Sequence, residues 1–105
     1  MPRFLCRIRP PRPEMLRDAT EAEDRVVEEH FAYLKELAER GVVLLAGRTL
    51  NENPTGFGVI VFDTKTRTED IVAADPAVGE GVFRADLYPF RIALVADRIP
   101  AQEDP

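Results

Sequence analysis

The chain has no serine, one cysteine and one histidine among its 105 residues. Without serine there is no serine nucleophile, and any triad built on one is excluded. The lone Cys6 has no second cysteine to pair with, so an internal disulfide is excluded and a reducing, cytoplasmic setting is expected. One histidine, one cysteine and no close cluster of the two with carboxylates argue against a metal site. A phosphate loop and the Gly-x-Gly-x-x-Gly turn of dinucleotide sites are missing, so no cofactor is expected. Basic charge is short as well. Fourteen Lys and Arg stand against 19 Asp and Glu, a net charge of −5, whereas nucleic-acid binding needs a basic face. No apolar run approaches the roughly 20 residues of a membrane-spanning helix, and no apolar signal core follows Met1. The expectation is a soluble single domain over residues 1–105, with 97–105 as a frayed tail.

What is present is centred on residues 20–48. Thr20 and Glu23 have the spacing of a capping box, in which each side chain satisfies a backbone N–H of the other. Gly41 supplies the left-handed residue that commonly ends a helix. Between them Val26, Val27, Phe31, Leu34, Leu37 and Ala38 recur at spacings of three and four and form one apolar stripe. His30 stands four residues after Val26 and four before Leu34, so it projects from that stripe.

The remaining segments supply strands and one more helix. RFLCRIR (3–9) alternates, with Phe4, Cys6 and Ile8 on one face and Leu5, Arg7 and Arg9 on the other. Pro10, Pro11 and Pro13 end this strand, and Met15 and Leu16 suit a short turn over the core. Residues 42–46 and 57–62 are apolar at nearly every position and predict strands buried on both faces. A Pro- and Gly-bearing loop joins them. Residues 66–74 predict a second helix, opened by a Thr66/Glu69 capping box and stopped by Asp75-Pro76. LYPFRIALVA (87–96) predicts the last strand, with Pro89 at an edge or bulge. The order β-α-β-β-α-β is the ferredoxin-like pattern: a four-stranded antiparallel sheet with two helices on one face, an α+β fold. Helices cover only one face of such a sheet. An apolar second face therefore predicts a homodimer packed sheet against sheet, the alternative being a monomer whose second face is partly covered by the tail and the proline segment.

Three stretches, HFAYLKELAERGVVLLAGR, TGFGVIVF and ADPAVGEGVFRADLYPF, resemble in their order and spacing the YCII-related proteins. The resemblance covers roughly residues 25–95. It runs from the helix histidine through a Gly-Leu-Gly strand, a Gly-Phe strand and an Asp-Pro-x-x-x-x-Gly turn to a Pro-Phe strand. The chain departs from the pattern at Arg48, where a proline often follows the glycine, and at Ala77, often aromatic. The resemblance implies a dimeric α+β barrel. It further implies a His–Asp active site, here His30 and Asp75, and acid–base chemistry of the lyase or isomerase type on small molecules.

The residues themselves allow that chemistry without requiring it. Imidazole titrates near neutral pH, and a carboxylate on one ring nitrogen fixes its tautomer and stabilises the imidazolium. Read alone, a histidine on an apolar stripe is more often a satisfied core residue, and an aspartate before proline is often only a helix stop. Arg7, Arg9, Arg48 and Arg91 form a second set. On the open sheet face they can clamp a small anion, and otherwise they are solvated strand ends or interface ion pairs. Phe57 and Tyr88 are candidate pocket walls or plain core. Cys6 between Phe4 and Ile8 reads as a buried, inert thiol. An enzyme, a small-ligand binder without turnover, and an accessory subunit therefore all fit the sequence.

Overall fold

Alternation in the first segment is realised as strand β1, Arg3–Arg9, in the computed structural model. The structure describes residues 3–64 and 67–99. A 3-10 turn, Pro13–Leu16, follows and buries Met15 while leaving Leu16 exposed. Helix α1 spans Glu21–Glu39. Strands β2, Val43–Arg48, and β3, Gly58–Asp63, come next. The short helices α2, Thr68–Ala73, and α3, Pro76–Gly79, lead to β4, Arg84–Pro89. All strand pairs are antiparallel, and the sheet order is β2-β3-β1-β4. This is the ferredoxin-like α+β architecture that the segment order predicts.

Both ends of α1 are built by local chemistry. Glu23 N–H donates to Thr20 Oγ1 at 3.1 Å, and Thr20 N–H donates to Glu23 Oε1 at 2.9 Å. At the other end Gly41 adopts φ +75, and the Gly41 and Val42 amides donate to the carbonyls of Ala38 and Leu37. That pair of bonds satisfies two of the last carbonyls of the helix. The buried stripe consists of Val26, His30, Leu34 and Leu37. Phe31 and Ala38, expected on it, lie outside: a helical residue next to His30 is rotated about 100° away, and Phe31 keeps 48% of its surface exposed.

Leu34 and Leu37 of α1 and Val72 of α2 pack on Cys6, Ile8, Val43, Ile60 and Phe62 to form the core. The opposite face has no helix. Across it runs a register row Leu45–Val61–Leu5–Tyr88, one residue from each strand. Leu45 and Tyr88 keep 47% and 49% of their surface exposed. The expectation that the second strand is buried on both faces is therefore not met within one chain. β2 is an edge strand, and only Val43 of its residues is buried.

Other boundaries shift. The second and third strands begin one residue later than expected and continue to Arg48 and Asp63. The second helix is shorter than the expected 66–74 and stops before Asp75-Pro76, and Asp75 then caps a further, unexpected short helix, α3. Thr66, half of the expected capping box, lies outside the described residues, and Arg67 provides no side-chain cap. The last strand runs over Arg84–Pro89 instead of 87–96. β1 begins at Arg3, whose carbonyl accepts the final ladder bond from Phe90 N–H at 3.0 Å. Beyond that bond residues 91–99 lie in no strand. Of the expected tail, 97–99 is exposed and 100–105 lies outside the described residues.

The proline segment is tied to the start of α1 by a two-point ion pair. Arg12 Nη2 and Nε donate to Glu23 Oε1 and Oε2 at 2.6 and 3.0 Å. These bonds, with that from Thr20 N–H, hold the Glu23 carboxyl at a pKa of about 2, below its usual 4.5. A depressed carboxyl contributes stability above its unfolded pKa and loses it as pH falls through the folded value. Glu23→Gln keeps the cap and removes the charge, so it should be less stable than wild type at neutral pH. In urea denaturation that deficit should shrink as pH falls below about 4.5 and vanish near 2. A deficit independent of pH would refute the ion pair.

Candidate active site

The site is assembled by α1 and by the short helix α3. His30 sits on the buried stripe of α1, with 8% of its surface exposed. Asp75 is the N-cap of α3, and Pro76 at the first helical position presets the turn. The carboxylate divides its two oxygens. Oδ1 accepts from Ala77 N–H at 2.9 Å, and Oδ2 meets His30 Nδ1 at 2.6 Å. Asp75 itself is 4% exposed. An ionised carboxylate can only accept, so opposite one the ring carries a proton on Nδ1, and in its neutral form keeps its lone pair on Nε2. Nε2 has no hydrogen-bond partner among the described residues. The ring side chain retains 10% of its surface.

Two residues that the sequence had not singled out complete the surroundings. Phe83 meets the imidazole edge to face, centroids 5.2 Å apart at 69°. It is held by Ala77, whose carbonyl accepts from both Val82 and Phe83 N–H at 2.9 and 3.1 Å. Gly81, at φ +76, allows the chain to fold back for these bonds. Tyr33, one turn along α1 from His30, donates its hydroxyl to the Ile71 carbonyl at 2.7 Å and so ties α1 to α2. Burial, with the charge of Asp75, pushes its phenol pKa up. The spacing Tyr33–His30 was the available signal for the tyrosine. Phe83 carried none beyond its place two residues after the closing glycine.

The other candidates lie elsewhere. Arg7 and Arg9 leave the open face of β1, opposite Cys6 and Ile8, and line a cleft with Phe57 and Arg84. Arg7 lies over the Phe57 ring, 4.9 Å from its centroid. Arg48 ends β2 and Tyr88 lies in the apolar row, and neither lines that cleft. Arg91 lies beyond β4, so the strand parity expected for it does not apply. Ala77, where an aromatic residue fits the resemblance, is fully buried at 0% exposure. Among the described residues no group of three or more His, Cys, Asp or Glu could hold a metal ion. No described helix is long and apolar enough to cross a membrane.

Fold and site together define a small α+β protein of ferredoxin-like topology with a buried histidine–aspartate pair between helices. The chain belongs to the YCII-related family, whose domain model matches residues 3–91. Among solved structures it is similar to 5-chloro-2-hydroxyhydroquinone dehydrochlorinase from Burkholderia phenoliruptrix, in complex with 2,5-dihydroxybenzoquinone. The TM-score is 0.59 at 18% sequence identity, over 84% of this chain and 93% of that one. At that identity the likeness establishes the fold. No curated protein matches the chain.

Cys6 shares the core with this pair but not its chemistry. Burial, then the negative charges of Asp75 and Asp86, push its thiol up to about 12, and the thiol form is a poor nucleophile. Ellman's reagent at mildly alkaline pH should therefore leave the native protein unmodified and titrate one thiol after denaturation. Prompt reaction of the native chain would show that Cys6 is accessible.

Proposed function

We propose that the protein is an enzyme of small-molecule metabolism that uses His30 as a general base and acid, oriented by Asp75, without a cofactor. The observation that carries this reading is the 2.6 Å contact between His30 Nδ1 and a carboxylate already committed to a backbone N–H. In the reaction, Nε2 accepts a proton from a carbon or hydroxyl acidified by a neighbouring carbonyl. The C–H or O–H bonding pair left behind becomes a new C=C or C=O double bond. Either a leaving group departs with its bonding pair, a lyase outcome, or His30 returns the proton elsewhere, an isomerase outcome. Asp75 stabilises the imidazolium that forms between the two steps. The dehydrochlorinase likeness supports hydroxylated, quinone-like rings as the first substrates to assay.

We further propose that the active form is a homodimer closed through the open sheet face, within a single domain and in the cytoplasm. The row Leu45–Val61–Leu5–Tyr88 supports it, since burying such a row against a copy contributes roughly 25 cal/mol per Å2. Sedimentation should report about twice the 11.8 kDa chain mass, and Leu5→Lys should return a folded monomer. A monomeric wild type would remove the proposal.

The acid–base assignment is tested without a known substrate through the tautomer of the single histidine. An asparagine at position 75 has one carbonyl oxygen. If that oxygen keeps the cap on Ala77, the amide NH2 faces His30 Nδ1 and demands an acceptor there. Long-range proton–nitrogen correlation spectra should show the Nδ1–H form in the wild type and the Nε2–H form in Asp75→Asn. In assays on hydroxybenzoquinones and related hydroxylated rings, His30→Ala should lower turnover about 100-fold or more. The same tautomer in both proteins with an Ala77 amide resonance that shows the cap retained, or turnover that survives His30→Ala, would overturn the assignment.

A further inference from the structure

We propose that the cleft at one end of the open sheet face binds a small organic anion with an apolar body, a carboxylate or phosphate ester. The cleft measures about 480 Å3, within the roughly 300–1,000 Å3 of small-molecule sites. Arg7 and Arg9 are two apart on β1, and Arg84 is the register partner of Arg9 on β4. Residues in those positions leave the same sheet face, so three guanidinium groups line one cleft. No acidic residue lines it. Asp86, the register partner of Arg7, is the neighbouring carboxylate, so three arginines stand against one acid in a chain of net charge −5.

The arginines differ in what they already contact. Arg9 Nε pairs with Asp86 Oδ2 at 3.3 Å. Neither Arg7 nor Arg84 has a carboxylate within 4.0 Å among the described residues. Arg7 instead lies over Phe57, its Cζ 4.9 Å from the ring centroid. A cation–π contact of this kind helps to hold a guanidinium in place without using its N–H donors, which stay available to an anion.

The apolar walls are stiff. They come from Phe57 and from the prolines at 10, 11, 13 and 54, side chains that lose little or no freedom when a ligand lands on them. Phe57 is fixed by two bonds to Thr49: its N–H donates to Oγ1 at 2.9 Å, and its carbonyl accepts from Thr49 N–H at 2.9 Å. Gly56, also in the wall, is buried, and a Cβ there would lie 3.0 Å from the Asn51 carbonyl oxygen. The loop is held in place before any ligand arrives, which lowers the cost of binding. Arg7 and Arg84 would take the charge of the ligand, while Phe57 and the prolines would take its ring or chain.

This site is separate from the acid–base pair within one chain. Cys6 and Ile8 point into the core under α1, so Arg7 and Arg9 emerge on the far side of the sheet from His30. Its binding can be measured whether or not the protein is a catalyst.

Benzoate and phenyl phosphate serve as probes, with inorganic phosphate and neutral benzyl alcohol beside them, in amide proton–nitrogen titrations of the full chain. At least one aromatic anion should cause saturable shifts at Gly56, Phe57 and Arg84. Inorganic phosphate should bind more weakly, and benzyl alcohol should not compete. Arg7→Gln and Arg84→Gln should each weaken binding about tenfold or more, as loss of a charge-assisted hydrogen bond requires. Arg48→Gln and His30→Ala should leave the affinity unchanged. Spectra of the free variants check that each is folded. No saturable shift with either aromatic anion would overturn the proposal. So would undiminished binding by the folded double variant Arg7→Gln/Arg84→Gln, or equal binding of benzyl alcohol.

Discussion

Helices cover one face of this sheet and leave the other open, and most of the molecule is a consequence of that asymmetry. A strand presents alternate residues to opposite faces, so β1 serves two environments with one segment. Cys6 and Ile8 meet α1 and α2 in the core, while Leu5, Arg7 and Arg9 are delivered to the uncovered side. Slipping β1 by one residue would exchange the two sets, placing arginines under the helices and a thiol in solvent. The register with β3 and β4 is therefore fixed by burial as much as by backbone bonds.

The same asymmetry separates two kinds of chemistry. On the covered side a single imidazole meets a carboxylate with little water nearby, where a hydrogen bond is electrostatically stronger than in bulk solvent. On the uncovered side the cleft is lined by arginines, partly exposed and backed by rigid apolar surface, with Asp86 paired to Arg9. Proton transfer suits the first setting and recognition of an anion suits the second. A chain of 105 residues keeps them apart with the thickness of one sheet.

Much of this was legible in the residues, and the exceptions have physical causes. Helix α1 announced itself because its period, its capping box and its closing glycine all agree. β1 did so through strict alternation. The last strand is displaced because the apolar run 92–96 after Pro89 reads more strongly than the quieter alternation of Phe83, Ala85 and Leu87 with Arg84, Asp86 and Tyr88. That alternation is the true strand. Adding Arg84 to Arg7 and Arg9 needed the β1–β4 register, which local spacing does not contain. His30 could be placed on a buried stripe from period alone, and the family resemblance supplied Asp75 as its candidate partner. Their contact distance, and the edge of Phe83, required the folded chain.

Ala77 has no side-chain chemistry, yet its peptide groups are where the neighbourhood of His30 is decided. Its N–H anchors the Asp75 carboxylate, and its carbonyl anchors the amide of Phe83. The acid and the aromatic ring that both meet the imidazole are thus fastened to a single residue, buried at 0% exposure. Errors in the placement of the two are correlated: a shift of this turn carries acid and ring together, and their mutual spacing survives. The segment between α2 and β4 thus carries both groups. The turn behaves as a prefabricated cassette, positioned against α1 as one piece.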